Sequence, residues 1–205
     1  MLTIWGRSTS INVQKVLWAC VELSLPFTRH DIGGTFGGTD TDRYRLLNPN
    51  GLVPTIEDNG LVLWESNVIV RYLATKQGAA IFPQDLLKRF DIERWMEWQT
   101  TTLWPALRPA FIALIRTSKE KRDETSIARA EDDTRRLFTI LDQQLQSRSY
   151  IAGDSFTIAD IACGVTARRW YELDIARPNL PSVRRWYDEL SQRPGFRQHI
   201  AIPLS

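Results

Sequence analysis

The sequence predicts an α/β domain followed by an all-helical one, and three observations predict it. Over the first third of the chain, short apolar runs alternate with residues at helical spacing. Eight of the 11 glycines precede residue 80. Beyond a patternless stretch around Gly78 and Pro83, every apolar stripe recurs with the period of a helix. The expected boundaries are 1–77 for the α/β domain, 78–86 for a linker and 87–205 for the helical domain.

Each element has its own warrant. Leu2-Thr3-Ile4-Trp5 is a short strand ended by Gly6. Val13, Val16, Leu17, Cys20 and Val21 then lie at i, i+3, i+4, i+7 and i+8, one face of a helix. That placement makes Cys20 a core residue. Pro26 precedes a second strand, Phe27 to Asp31, and a glycine-rich loop, Gly33 to Gly38, leads to a helix near Asp40 to Leu47. Strand, helix, strand implies a parallel pair with a helical crossover. Asn59-Gly60 between Thr55 to Asp58 and Leu61 to Trp64 is a hairpin signal. Glu65-Ser66-Asn67 opens a helix carrying Ile69, Tyr72 and Leu73.

In the second part, Leu86 to Ile115 reads as helix with bends at Pro105 and Pro109. Stripes follow at Ile127 to Leu145, at Ile158 to Val165 and at Val183 to Leu190. Ser155-Phe156-Thr157-Ile158-Ala159-Asp160 has the form of a capping box, with Thr157 as cap and Asp160 three residues on.

Composition bounds the function. Twenty-six basic and 24 acidic residues give a net charge of +2, with the two signs interleaved, which argues against a nucleic-acid-binding specialist. No apolar run approaches the roughly 20 residues of a membrane span. The N-terminus has no basic segment ahead of a long apolar run, so a soluble cytoplasmic protein is expected. Cys20 and Cys163 form no CxxC, which removes a dithiol redox motif and a zinc finger. His30 and His199 show no metal-ligand spacing, so no metal is expected and both suit surface or packing roles.

Four segments in this order carry a more specific signal: Trp5-Gly6-Arg7-Ser8-Thr9-Ser10-Ile11-Asn12-Val13-Gln14-Lys15-Val16, Asn48-Pro49-Asn50-Gly51-Leu52-Val53-Pro54, Trp64-Glu65-Ser66-Asn67, and Phe156-Thr157-Ile158-Ala159-Asp160. With β-α-β-α-β-β-α ahead of a helical domain, the whole chain resembles the soluble glutathione S-transferases, and within them bacterial members related to the theta and nu classes. The resemblance implies a thioredoxin-like first domain, glutathione as co-substrate, a small electrophile as second substrate and a homodimer.

The chemistry makes demands that these segments meet. A thiol of pKa ~8.5 is only about 3% ionised at neutral pH, and lowering it by about two units takes roughly 2.7 kcal/mol of selective anion stabilisation. The start of the first helix, with unpaired N–H groups and a partial positive charge, is a place to supply it. By resemblance, Ser10 matches the hydroxyl that theta-type members aim at the sulfur, and Asn12 the residue that nu-type members use there. Arg7 stands near the position of a catalytic tyrosine in other classes, which sets that mechanism aside. Read by themselves, Ser10 and Asn12 are also the residue types that simply cap helices.

The resemblance assigns glutathione binding to Asn12, Leu52, Val53, Pro54, Glu65 and Ser66. A cis Val53–Pro54 peptide lets Val53 pair with the cysteinyl backbone as an added strand does. Ser66, at a helix start, suits the γ-glutamyl carboxylate, and Glu65 the ammonium beside it. Apart from the resemblance, Pro54 suits the start of a strand, Ser66 a cap and Glu65 a solvated first-turn acid. Arg7, Trp104, Arg108, Phe111 and Ile112 are the candidates for the electrophile, the two arginines suiting one that carries a carboxylate; for the aromatic residues, a place in the core is the competing reading. Glutathione-dependent disulfide reduction and a non-catalytic ligand-binding role on the same fold are the rival functions.

Overall fold

The computed structural model describes residues 1–205, which divide into two compact units: Met1–Phe82 with Pro194–Ile202, and Pro83–Arg193 with Pro203–Ser205. Pro194–Ile202, which sequence reading groups with the helical part, thus packs with the first unit. The cause is a long-range fit. The chain has no side chain at Gly195, and a Cβ there would lie 2.4 Å from Cδ1 of Trp18. The Trp18 indole meets the Phe196 ring edge-on at 5.3 Å and donates to Glu22 at 2.9 Å.

The first unit holds four strands, β1 (Leu2–Trp5), β2 (Phe27–His30), β3 (Thr55–Asp58) and β4 (Leu61–Trp64), in the order β2-β1-β3-β4. β1 and β2 run parallel, with Leu2 opposite Phe27; β1 with β3 and β3 with β4 run antiparallel, with Ile4 opposite Ile56 and Ile56 opposite Leu63. The β3–β4 turn is Asn59-Gly60, both at positive φ (52° and 86°), as a two-residue hairpin of this hand requires. The crossover between β1 and β2 is α1 (Ile11–Glu22), almost wholly buried; α2 (Asp42–Leu47), capped by Thr41, and α3 (Ser66–Lys76) complete the set, joined by α9 (Pro194–His199). Cys20 is fully buried in α1, and burial pushes its thiol up to about 12, so it is a packing residue and not a nucleophile.

The second unit is helical: α4 (Leu86–Trp98), α5 (Trp104–Phe111), α6 (Glu124–Leu145), α7 (Ile158–Glu172) and α8 (Pro181–Ser191). Around Pro105 and Pro109, where bends are expected, the helix of residues 86–116 widens into π-type turns at Gln99–Leu103 and Ile112–Arg116. Pro105 cannot donate to the Thr101 carbonyl, and the wider turn at Gln99–Leu103 is one way to accommodate this. Thr100 and Thr101 also bond back to the carbonyls of Met96 and Glu97.

The core of this unit is aromatic. Phe138 of α6 stacks on Trp170 of α7 at 3.9 Å. Asp160, fully buried, accepts the N–H groups of Thr157 (2.8 Å) and Ile151 (3.0 Å) and the indole N–H of Trp186 (2.9 Å). The expected capping box is therefore present, and the same carboxylate also ties α8 and the preceding loop to α7. Asp142 performs a similar task, accepting the N–H groups of Ser182 and Val183 at the start of α8. No helix is long and apolar enough to cross a membrane.

Candidate functional site

The residues singled out in the first unit gather at the starts of α1 and α3 and at the turn before β3. Ser10 is the N-cap of α1, with extended backbone (φ −71°, ψ 126°), yet its side chain makes no capping hydrogen bond. The position is that of a cap, but the hydroxyl is uncommitted. It is 8% exposed and sits beside the unpaired N–H groups of the first helical turn. Its own N–H donates to the Arg7 carbonyl at 3.2 Å and its carbonyl accepts from Gln14, which closes the loop after β1.

Asn12 projects from the first turn of α1, exposed, and its Oδ1 accepts from the Ser66 hydroxyl at 3.2 Å. The two helix starts are thereby joined through side chains 54 residues apart. With Oδ1 engaged, the amide Nδ2 of Asn12 points elsewhere, as a donor. Ser66 is 5% exposed and is the first residue of α3. Glu65 before it is exposed and has a left-handed backbone, φ 70°. A non-glycine residue held there costs on the order of 1–3 kcal/mol, strain of the kind that collects at ligand sites.

A second tie lies beneath these contacts. Lys15 of α1, 2% exposed, donates to Oδ1 of Asn67 at 3.2 Å. Sequence reasoning passed over this pair, because a lysine off the apolar stripe of an amphipathic helix reads as solvated. Only the burial of nearly the whole of α1 makes it a strut.

At the turn before β3 the Val53–Pro54 peptide is cis, and neither the N–H nor the C=O of Val53 has a backbone partner. The preceding carbonyl, that of Leu52, is occupied: it accepts from the Tyr44 hydroxyl at 2.7 Å and from Nδ2 of Asn48 at 2.9 Å. Asn48 and Tyr44 thus hold the turn from the α2 side and leave the Val53 edge open. Burial raises the Tyr44 hydroxyl above its ordinary range, so it stays a donor across the neutral range.

Arg7, also in this unit, is half-buried in the loop after β1, and its N–H donates to the Ile32 carbonyl at 3.1 Å. The other four candidates for the electrophile lie in the second unit. Phe111 is 2% exposed, a core residue. Trp104 is half-exposed, its ring 5.6 Å from that of Phe111 and 5.9 Å from the buried Arg169 guanidinium. Ile112 is half-buried and Arg108 exposed. Burial and the neighbouring Arg116 and Arg168 lower Arg169 to about 9. No group of three or more His, Cys, Asp or Glu side chains is arranged to hold a metal ion.

The chain is similar along its length to known proteins. Residues 9–76 match the family described as glutathione S-transferase, N-terminal domain, and residues 100–194 match glutathione S-transferase, C-terminal domain. The chain is 37% identical, over the whole of both chains, to glutathione S-transferase GstB of Escherichia coli. It is similar, at 27% identity over 87% of its length and 84% of the relative's, to the disulfide-bond oxidoreductase YfcG of that organism. Among solved structures, a theta class glutathione S-transferase of Xanthomonas axonopodis pv. citri with glutathione bound superposes with a TM-score of 0.96 at 42% identity, over 100% of this chain and 99% of that one. The first unit's mixed sheet, the helical second unit and both family matches converge on one conclusion: the chain belongs to the glutathione S-transferase family.

Proposed function

We propose that this chain, as a glutathione transferase, conjugates glutathione to small electrophiles, with Ser10 as the group that stabilises the thiolate. The carrying observation is the Ser10 hydroxyl, placed at the α1 N-cap and free of any capping bond. An oxygen that accepts nothing from its own helix is free to donate to an anion, and it adds to the field of the helix end. Asn12 Nδ2 is the second donor. Val53 pairs its open N–H and C=O with the cysteinyl backbone, Leu52 and Pro54 shape that edge, and Glu65 and Ser66 take the ammonium and carboxylate of the γ-glutamyl end.

In the reaction the thiol proton passes to solvent, the sulfur forms a bond to the electrophilic carbon, and the leaving group departs with its electron pair. Within the first unit, the thioredoxin-like domain to about residue 77 is the glutathione-binding domain in this reading. In the helical domain from about residue 87, Trp104, Arg108 and Ile112 are the candidates for binding the electrophile; Phe111 backs Trp104 from the core. A cytoplasmic role in clearing reactive compounds fits such an activity.

A homodimer is supported by unpartnered apolar side chains on both units. In the first, Leu61, Trp64 and Val68 are 42%, 38% and 44% exposed; in the second, Leu86, Leu87 and Phe90 of α4 are 65%, 81% and 60% exposed. Sedimentation at twice the chain mass is the expected result.

Disulfide reduction is the second reading, favoured by the likeness to an oxidoreductase and compatible with two buried cysteines, since glutathione itself supplies the thiols. Assaying aryl and alkyl halides beside a small disulfide separates the two. Turnover of halides is expected, whereas turnover of the disulfide alone overturns the conjugation reading, and tight apolar-ligand binding without turnover of either points to a non-catalytic binder.

A further inference from the structure

Arg7 is held in place without being neutralised. Its side chain lies across the backbone of Gly33 and Gly34, two residues at positive φ (81° and 61°). A Cβ on Gly34 would stand 3.0 Å from both Cδ and Nε of Arg7 and 3.2 Å from Cζ; one on Gly33 would stand 3.3 Å from its terminal nitrogen. The turn is thus a bed from which side chains are absent on two grounds, conformation and space. Yet the guanidinium has no hydrogen-bond or ion-pair partner in the chain. Asp31, one residue before the Ile32 carbonyl that receives the Arg7 N–H, is bound by Arg29.

An arginine fixed against a backbone surface has given up much of its conformational freedom before any ligand arrives, so a bound anion does not bear that cost. Its location defines which anion. The Cβ direction of Gly33 that points within 3.3 Å of the Arg7 terminal nitrogen also points within 3.4 Å of Cγ1 of Val53, so guanidinium and Val53 cannot be farther apart than those two distances laid end to end. The Arg7 carbonyl receives the Ser10 N–H. The cation therefore lies beside the Val53 side chain, next to the edge assigned to the cysteinyl group, at the end of a side chain whose backbone also anchors Ser10. Arg108, the other arginine considered for this task, is exposed and rests on no such bed.

We infer that Arg7 is a specificity-determining residue, pinned on the Gly33–Gly34 turn to receive the carboxylate of an electrophile that carries one close to its reacting carbon. The inference rests on the glutathione-binding reading above. A planar guanidinium fork suits a carboxylate, which it can engage through two N–H groups. Glutathione offers a carboxylate of its own, on its glycyl end, and the experiment distinguishes that source.

The test is steady-state conjugation at saturating glutathione with the matched pair 4-fluoro-3-nitrobenzoate and 4-fluoro-3-nitrobenzamide, on the wild type, Arg7→Gln and Arg7→Lys. In both reactions a C–S bond forms at the ring carbon, the C–F bond breaks and fluoride leaves with the electron pair. The benzoate-to-benzamide ratio of kcat/KM is expected to fall at least tenfold in Arg7→Gln, through KM for the benzoate, and to take an intermediate value in Arg7→Lys. An unchanged ratio overturns the inference, and if KM for glutathione rises while the ratio holds, Arg7 serves the glycyl carboxylate instead. A wild type that conjugates neither compound defeats the conjugation reading, and calorimetric binding of the unreactive pair 3-nitrobenzoate and 3-nitrobenzamide then decides the inference: tighter benzoate binding that Arg7→Gln abolishes supports it, and equal binding overturns it.

Discussion

The Ser66 hydroxyl donates to Oδ1 of Asn12 at 3.2 Å, linking the first turn of α3 to the first turn of α1. Each helix start contributes unpaired N–H groups and a partial positive charge, so the link sets two anion-favouring ends side by side. In the proposed reading, one end receives the thiolate and the other the γ-glutamyl carboxylate.

This link predicts coupled effects. Asn12→Ala and Ser66→Ala are each expected to raise KM for glutathione about five- to tenfold, near the 1 kcal/mol of an ordinary hydrogen bond with some loss of ligand contact. In the double variant the effects fall short of additive, because the shared bond can be removed only once. Strict additivity in a double-mutant cycle on glutathione binding would show that the two side chains act independently.

A pH effect is expected at α9. His199, half-buried against Phe27 (ring centroids 6.1 Å apart), has its imidazole pushed below the ordinary value, first by burial and then by Arg29. A base whose folded pKa is depressed contributes stability that is complete above its unfolded value, ~6.5, and declines as pH falls through that value toward the folded one. The urea midpoint, or amide exchange in α9, is therefore expected to weaken from about pH 6.5 downward. His199→Phe flattens that slope; an equal slope in the variant assigns it to other groups.

Much of the first unit was legible in the residues themselves. Asn59-Gly60 between two apolar runs declared the hairpin, and the spacing of Val13, Val16, Leu17 and Cys20 declared α1, because those signals are local. Contacts between distant segments were not. Nothing near Pro194 indicates that Gly195 must meet Trp18, so by sequence residues 194–202 belong with the helices they follow. Likewise, the Gly33 to Gly38 loop reads as a turn, whereas the arginine lying on it comes from another part of the chain. The motif Trp64 to Asn67 pointed to the site, but the Lys15–Asn67 strut required knowing how little of α1 reaches solvent.

The close approach at Gly195 predicts a stability loss. Gly195→Ala places a methyl 2.4 Å from Cδ1 of Trp18. Overpacking of this kind costs about 1–3 kcal/mol. Equilibrium urea unfolding followed by tryptophan fluorescence measures it, and a variant as stable as the wild type would mean that α9 shifts without loss.

Asp160 gives a sharper case. Burial raises its carboxyl above the ordinary range, against the pull of four hydrogen bonds. Asp160→Asn keeps the shape but turns one acceptor oxygen into an NH₂ group that faces donors. A loss of roughly 1–3 kcal/mol in the same unfolding measurement is expected, with Asp160→Ala costing more because several buried donors lose their partner. Equal stability of Asp160→Asn and the wild type would remove the carboxylate from its place at the centre of the second unit.

In the proposed reading the uncommitted Ser10 hydroxyl lowers the pKa of bound glutathione. Titrating the ultraviolet absorbance of the enzyme-bound thiolate against pH, in the wild type and in Ser10→Ala, tests it most directly. A wild-type pKa at least about one unit below the ~8.5 of a free thiol is expected, returning toward that value in Ser10→Ala. An identical, undepressed titration in both proteins would contradict it, and a depression that survives Ser10→Ala but disappears in Asn12→Ala would move the role to the amide.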